Sequence, residues 1–123
     1  MKWTFKEGLP IYTQLIEQIK MNIIGGVFKP GDQMPSVREL ALDAGVNPNT
    51  MQRALAELER EGLLYSVRTS GRFVTEDKEK LDGLQKSLGR GFVEDMFTNL
   101  RKLGMSDEEI VTAVEQYMKG GVR

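Results

Sequence analysis

The sequence lacks both cysteine and histidine. The chain of 123 residues therefore cannot form a Cys/His zinc site, a thiolate-held iron–sulfur cluster, a disulfide or a histidine-dependent nucleophilic triad. Long apolar runs are missing as well. The apolar stretch at residues 23–28 is far short of the ~20 residues that a membrane span needs, and the first residues lack the apolar core of a signal peptide. We expect a cytoplasmic protein without metal or cofactor.

The sequence also lacks an excess of charge of one sign, because it has 17 basic and 18 acidic residues and a net charge of −1. This balance argues against a polycation that coats nucleic acid or membrane by charge alone, but it leaves room for one basic face. Hydrophobic residues make up 40% of the chain and charged residues 28%, which is ordinary for a globular protein. The length fits one domain, or a small domain with an appendage.

The N-terminal part predicts an extended arm followed by a helix. After residues 1–9, Pro10 opens a helical pattern, as proline does at a first helical position. Gly25 and Gly26 end this helix, and a loop with a Pro-Gly turn signal follows. The helix carries one apolar stripe with a repeat of four residues, formed by Ile11, Leu15, Ile19 and Ile23.

Two further helices are predicted around a tight turn. Ser36 and Glu39 have the spacing of a capping box, in which each side chain bonds the other residue's backbone N–H. Gly45 stops this short helix. Asn47 then caps a third helix that starts with Pro48 and runs to Glu61.

The period changes after this helix. Two strand-like runs at 63–67 and 72–75 flank a turn that ends with Gly71, which predicts a β-hairpin. The helical period returns at 77–103, and a second capping box at Ser106 starts a last helix that Gly120 and Gly121 close. We therefore predict a mainly α fold with a small β-hairpin, consisting of a winged helix-turn-helix over 1–75 and a two-helix dimerisation region over 76–123.

In a helix-turn-helix, the second helix enters the DNA major groove. At about 100° per residue, the face of the 48–61 helix opposite its apolar side bears no acid, and the acids lie on its flanks. Arginine reads guanine, and asparagine and glutamine read adenine. Hydroxyl and amide side chains contact phosphates. The predicted hairpin forms the wing of this fold, and its arginines contact phosphates or the minor groove. The DNA contacts predicted from these patterns are Asn47, Asn49, Thr50, Gln52, Arg53, Arg68, Gly71 and Arg72. With Arg38 and Arg60, five arginines can face the same way.

Several alternatives remain open at this point. A solvated helix face is commonly rich in arginine, asparagine and glutamine, and a wing loop with two arginines also fits a plain solvated turn. A winged-helix module that binds proteins instead of DNA would have acids on the face of the 48–61 helix opposite its apolar side, here called the recognition face. Enzymatic activity is not expected, since the neighbouring acids lack a cleft-forming motif or a phosphate loop. Gly89-Arg90-Gly91 is not a dinucleotide fingerprint, because no strand precedes it.

Four consecutive segments carry a family resemblance: residues 10–12, 31–40, 46–55 and 58–64. Together they resemble the winged-helix domain of the GntR family of bacterial transcription regulators, over about residues 8–75. The Asn-Pro-Asn-Thr start of the third helix and the short tail resemble its YtrA-like subfamily, whose C-terminal part is two helices that pair subunits. The resemblance implies phosphate contacts from Ser36 and Arg38. Pro48 stands where many relatives have a basic or hydroxyl residue, and Thr69-Ser70 where relatives often have glycine or a basic residue.

The tail carries two apolar lines along one helix, which suggests contact with its own chain and with a second subunit. The predicted dimerisation residues are Leu84, Leu88, Phe92, Met96, Phe97 and Leu100. The alternative is that both lines pack on the last helix and the winged domain. A small-molecule effector at the seam stays open, although no residue marks it. The sequence thus predicts a sequence-specific DNA-binding regulator, a repressor that binds a palindromic operator as a homodimer, with half-sites about one helical turn apart.

Overall fold

The computed structural model describes residues 1–120, so Gly121, predicted to help close the last helix, lies outside the described residues. The predicted mainly α fold with one hairpin is confirmed. In chain order its elements are α1 (Ile11–Ile24), α2 (Val37–Ala44), α3 (Pro48–Arg60), β1 (Leu64–Val67), β2 (Gly71–Val74), α4 (Lys78–Lys102) and α5 (Asp107–Met118).

The helix ends follow the capping residues in the sequence to within one residue. The third helix ends at Arg60, with Glu61 as its C-cap, and not at Glu61 as predicted. Pro10 is the N-cap of α1 and not its first helical residue, because its ψ of 132° is extended. Ser36 forms both bonds of the predicted capping box at the start of α2. Gly45 ends α2 in the left-handed conformation with φ 70°, which glycine adopts without a steric penalty. The sharp turn that follows leads directly to the N-cap Asn47 of α3.

The core of the N-terminal part forms where α1 and α2 pack against α3. Leu15 and Ile19 of α1 are completely buried, as are Met51 and Leu58 of α3. Each such side chain contributes roughly 1.5–3 kcal/mol through burial. Except for the exposed Ile11, the stripe that predicted α1 is therefore buried and faces the core with α3. The opposite side of α3 is left free for a ligand.

The hairpin is extended on one side by the loop that precedes α2. β1 and β2 pair antiparallel, with Ser66 opposite Arg72. The Met34 N–H donates to the Arg72 carbonyl oxygen at 2.8 Å, and the Val74 N–H donates to the Asp32 carbonyl oxygen at 2.9 Å. Since this loop runs into the N-cap of α2, the same hydrogen bonds fix the start of α2 beside the wing.

The extended arm lies along α1 and is clamped by two glutamines one helical turn apart. Gln18 bonds both the N–H and the carbonyl oxygen of Thr4, at 3.1 and 2.7 Å. Gln14 bonds the same two groups of Lys6, at 2.8 and 3.2 Å. Because each amide side chain satisfies the backbone as a neighbouring strand would, the arm is ordered without belonging to a sheet.

The chain divides into two compact units, Met1–Gln85 and a second unit that begins at Lys86. In the first unit, Leu81 and Leu84 of α4 pack against the core. In the second, Ile110 of α5 is completely buried, and α5 begins with a capping box on Ser106. No helix among the described residues is long and apolar enough to cross a membrane.

Candidate nucleic-acid interface

The α3 helix has two chemically different sides. Its four buried residues lie on one side and are all apolar: Met51, Ala54, Leu55 and Leu58. Asn49, Gln52, Arg53 and Ala56 are exposed, as expected from the helical period. The small side chain of Ala56 stands among longer polar ones, so a groove edge can approach the backbone there. This side of α3 combines hydrogen-bonding groups with access for a base edge.

Arg53 is held by an aromatic ring from α1. Its guanidinium carbon lies 4.6 Å from the centroid of the Tyr12 ring, within the range of a cation–π contact. Because the Arg53 side chain donates no hydrogen bond within the described residues, its N–H groups remain available for a base edge. The sequence identified Arg53, but the role of Tyr12 was missed, since it depends on how α1 crosses α3.

All three acids at the C-terminal end of α3 are neutralised by cations. Glu57 is bound by both Nε and Nη2 of Arg60, at 2.8 and 2.5 Å, and this pair lowers the pKa of Glu57 to about 2. Lys20 Nζ lies 2.9 Å from a Glu61 oxygen. Glu59 accepts a hydrogen bond from the Ser66 hydroxyl and forms an ion pair with Arg72, and both lower its pKa. The flank of the recognition helix therefore repels a phosphate backbone much less than its acid count suggests.

The starts of α2 and α3 both face solvent with their caps formed. The Ser36 Oγ accepts from the Glu39 N–H at 3.1 Å, which leaves the hydroxyl hydrogen free for another acceptor. At α3, the Asn47 Oδ1 accepts from the Asn49 N–H at 2.7 Å. Thr50 is half-buried one residue further along. The exposed Arg38 forms no ion pair or hydrogen bond within the described part of the chain.

A groove of about 740 Å³ separates the start of α2 from the wing. Ser36 lines one wall, and Arg68 and Gly71 line the other. The Gln33 side-chain amide donates to the Ser70 carbonyl oxygen and so ties the wing tip to the loop before α2. Gly71 has a φ of 112°, which favours glycine. The structure thus brings the predicted contacts Ser36, Arg68 and Gly71 to one groove, whereas Arg38 does not line it.

Arg72 is turned toward α3. Its Nε lies 3.0 Å from Glu59 Oε1, and its Nη1 lies 3.3 Å from Gln52 Oε1. The same Glu59 oxygen accepts from the Ser66 hydroxyl at 2.8 Å. Of the five arginines expected to face the same way, Arg60 and Arg72 are therefore engaged with carboxylates of α3. Sequence reasoning missed Glu59, because its partners are separated from it along the chain and meet it only after the hairpin folds back.

The residues predicted for dimerisation lie in different surroundings. Leu84 is half-buried against the core of the first unit. Leu88, Met96, Phe97 and Leu100 are half-buried, while Phe92 retains 56% of its exposure. Within the described chain, none of the 25 residues of α4 is fully buried. The two apolar lines along α4 are therefore incompletely covered by the chain's own residues.

Residues 11–74 match the family described as bacterial regulatory proteins, gntR family. Among curated proteins, the chain is 37% identical to the uncharacterized HTH-type transcriptional regulator YhcF of Bacillus subtilis over 117 residues, which cover 95% of this chain and 97% of YhcF. It is 46% identical to the HTH-type transcriptional repressor YtrA of B. subtilis over 72 residues, 58% of this chain and 55% of YtrA.

Solved structures agree with this match. A GntR family transcriptional regulator from Listeria monocytogenes superposes with a TM-score of 0.81 at 38% identity, covering 91% of this chain and 98% of that one. AraR(DBD) in complex with operator ORX1 superposes with a TM-score of 0.55 at 34% identity, covering 61% of this chain and 96% of that one.

The winged helix-turn-helix has an acid-free exposed side on α3 and paired acids at the C-terminal end of that helix. Together with these matches, it defines a DNA-binding transcriptional regulator. The chain belongs to the GntR family of bacterial regulatory proteins. The predicted family resemblance, fold and regulatory function are confirmed. Because relatives in this family are transcriptional regulators, the expectation that the chain is not an enzyme is confirmed with them.

Proposed function

We propose that this regulator represses transcription by binding a palindromic operator as a homodimer, with half-sites about one helical turn apart. The observation that carries the proposal is the α3 face, where polar side chains point outward while each acid at its C-terminal end is paired with a cation. Such a face accepts DNA without the repulsion that three free carboxylates would cause. YtrA, which is named a repressor, supports the direction of control.

Two kinds of contact divide the proposed interface. Asn49, Gln52 and Arg53 read base edges in the major groove, because they lie on the exposed side of the first two turns of α3. The remaining contacts fix the register on the phosphates and the adjacent groove without reading sequence themselves. They comprise Ser36, Arg38, Asn47, Thr50, Arg68 and Gly71, while Arg72 contributes through Gln52.

The proposed homodimer rests on the two apolar lines of α4, which the chain itself covers incompletely. A second copy that covers the exposed Phe92 and the half-buried Leu88, Met96, Phe97 and Leu100 would remove their remaining apolar surface from water. Each Å² of apolar surface buried contributes roughly 25 cal/mol. Leu84, which already packs on the core of the first unit, lies at the edge of this surface. Two winged units held together bind a palindrome far more tightly than one unit, because the second contact becomes intramolecular.

The proposed partners are therefore double-stranded DNA and a second copy of the chain. DNA as the ligand places the protein in the bacterial cytoplasm. A small-molecule effector is placed at the seam between subunits in this proposal, because the groove between α2 and the wing is assigned to DNA.

DNA binding is tested by titrating duplex DNA at increasing salt with the unaltered protein, Arg53→Ala and Arg90→Ala. The affinity should fall linearly with salt on logarithmic axes, because bound phosphates release counterions. Arg53→Ala should lose about 1–3 kcal/mol of specific binding, while Arg90→Ala removes the same charge from an exposed position of α4 and serves as the control. Absence of DNA binding at low salt would contradict the proposal and favour a protein-binding module.

Dimer formation is tested by sedimentation equilibrium. Phe92→Asp places a charge on the exposed apolar line and should shift the protein to monomers, whereas Thr98→Asp adds the same charge at another exposed position of α4 and should leave the dimer intact. The monomer should still bind a single half-site weakly. Equal dimer stability in the two variants would show that this line is not the interface.

A further inference from the structure

The wing and the recognition helix are joined by one chain of hydrogen bonds. Ser66 and Arg72, opposite each other in the hairpin, both donate to the same oxygen of Glu59, at 2.8 and 3.0 Å. From there, Arg72 Nη1 donates to the side-chain oxygen of Gln52 at 3.3 Å. A base-reading side chain is thus in contact with a wing residue that the sequence assigned to DNA directly.

The backbone that carries Arg72 is fixed on both sides. One neighbour is β1, through the Ser66–Arg72 register. The other is the loop before α2, where the Met34 N–H donates to the Arg72 carbonyl oxygen at 2.8 Å. Because the Arg72 side chain is only 19% exposed, its guanidinium has little freedom to leave Glu59. The N–H donors of the Arg72 guanidinium are therefore held in a fixed position beside Gln52.

This contact selects one orientation of the Gln52 amide. A glutamine side chain has an oxygen that accepts and an NH₂ group that donates, and the two exchange places when the amide rotates by half a turn. Arginine only donates, so the oxygen must face Arg72. The NH₂ group then points away from Arg72 and is left for a ligand at the exposed face of α3.

We propose that Arg72, held by Glu59 and Ser66, is a positioning residue that makes Gln52 read guanine in place of adenine. Adenine is read by glutamine through a donor and an acceptor together, whereas guanine presents two acceptors, O6 and N7, in the major groove. Because its oxygen is turned toward Arg72, Gln52 presents its NH₂ group to the groove, and this donor matches the acceptors O6 and N7 of guanine. This inference rests on the proposed function and deepens it by assigning a base preference.

The test is selection of operators from a randomised duplex library, followed by sequencing, with the full-length dimeric protein. Gln52→Ala identifies the base pair that Gln52 reads, since only that position should lose its preference. At this position the unaltered protein should prefer guanine over adenine by about tenfold, the discrimination typical of a paired side-chain contact. Arg72→Met, which keeps the length of the side chain but donates no hydrogen bond, should abolish or reverse that preference.

Two charge-matched variants separate positioning from simple electrostatics. Arg72→Lys keeps the charge but lacks the fork that reaches Glu59 and Gln52 together, so it should lose the guanine preference with an unchanged salt dependence. Glu59→Gln removes an acid near DNA. If Arg72 and Glu59 act only through their charges, Glu59→Gln should bind DNA more tightly with the same base preference. If Glu59 positions Arg72, Glu59→Gln should bind nonspecific DNA more tightly but prefer guanine less.

An unchanged guanine preference in Arg72→Met, Arg72→Lys or Glu59→Gln overturns the inference while leaving the proposed DNA binding intact. A preference for adenine by the unaltered protein at the position read by Gln52 also overturns it. If the unaltered protein selects no DNA at all, the proposed function fails together with the inference. Circular dichroism of each variant confirms that the fold persists, and any one folded variant is sufficient for the decision.

Discussion

Ser36 caps α2 and is proposed to bind a DNA phosphate as well. A second capping serine, Ser106, makes it possible to separate the two roles. Its hydroxyl oxygen accepts from the Glu39 N–H at 3.1 Å, and Ser106 forms the same bond with the Glu109 N–H at 3.1 Å. Replacing either serine with alanine removes a cap and should cost about 1 kcal/mol of stability. Only Ser36→Ala should also weaken DNA binding, since α5 carries no proposed DNA contact.

The magnitude of the DNA effect follows from the free hydroxyl hydrogen of Ser36. A hydrogen bond to a charged phosphate contributes about 1.5 kcal/mol or somewhat more, so Ser36→Ala should bind the operator about tenfold more weakly. Ser36→Gly sharpens the test, because glycine at an N-cap costs only a few tenths of a kcal/mol while the hydroxyl is lost. Its affinity should fall as much as that of Ser36→Ala.

The assay combines urea unfolding with operator binding at four salt concentrations. Serine is neutral, so the slope of affinity against salt should stay the same in both Ser36 variants, whereas loss of an arginine–phosphate contact reduces the slope by about one. Ser106→Ala should unfold at lower urea and bind DNA like the unaltered protein at concentrations that keep it dimeric. Undiminished affinity of Ser36→Gly at every salt concentration would refute the phosphate contact.

Three further predictions concern the described contacts. Tyr12→Ala should weaken specific binding severalfold because it frees Arg53 from the ring, while Tyr12→Phe keeps the stack and should bind normally in the same operator titration. Glu57→Gln should lower the urea midpoint at pH 7, because it removes the carboxylate that pairs with Arg60. The pKa of Glu57 is lowered from 4.5 to about 2, so the difference in midpoint between the variant and the unaltered protein should fade as the pH falls from 4.5 to 2. A difference that does not depend on pH would contradict this prediction. Gly45→Ala should destabilise by about 1 kcal/mol because of its φ of 70°, whereas Gly89→Ala in α4, where an added Cβ meets nothing within 4 Å, should stabilise the helix by a similar amount unless a second subunit packs there.

The parts of the fold that sequence predicts well are those that depend on neighbouring residues. The capping box at Ser36, the left-handed Gly45 and the Asn47–Pro48 start each act over a few residues, so their spacing alone places the helix ends. The burial of one side of α3 follows from the helical period for the same reason. Pro10 shows the precision of such signals, because it caps α1 where a first helical residue was expected.

The partners of the site residues could not be predicted in this way. Tyr12 meets Arg53 only because α1 crosses α3, and Trp3 donates to Asp43 at 2.8 Å across 40 positions of the chain. Such contacts are decided by packing, which no local pattern encodes. The five arginines of the predicted DNA face illustrate the limit. The Arg60–Glu57 pair has an i,i+3 spacing that the sequence shows, whereas Arg72 meets Glu59 only because the hairpin folds back on α3.

The shared bonding of Gln52, Glu59 and Arg72 has a consequence for how such regulators diverge. If the operator base read by Gln52 changes, a different side chain is required at position 52. The Arg72 N–H group then loses the acceptor that the Gln52 amide oxygen provided. The Asn49 side chain forms no hydrogen bond with the part of the chain that the structure describes, so Asn49 is free to vary alone. Relatives that retain this hairpin should therefore exchange Gln52, Glu59 and Arg72 as a set, so the three positions would covary in an alignment while Asn49 drifts independently with its own base pair.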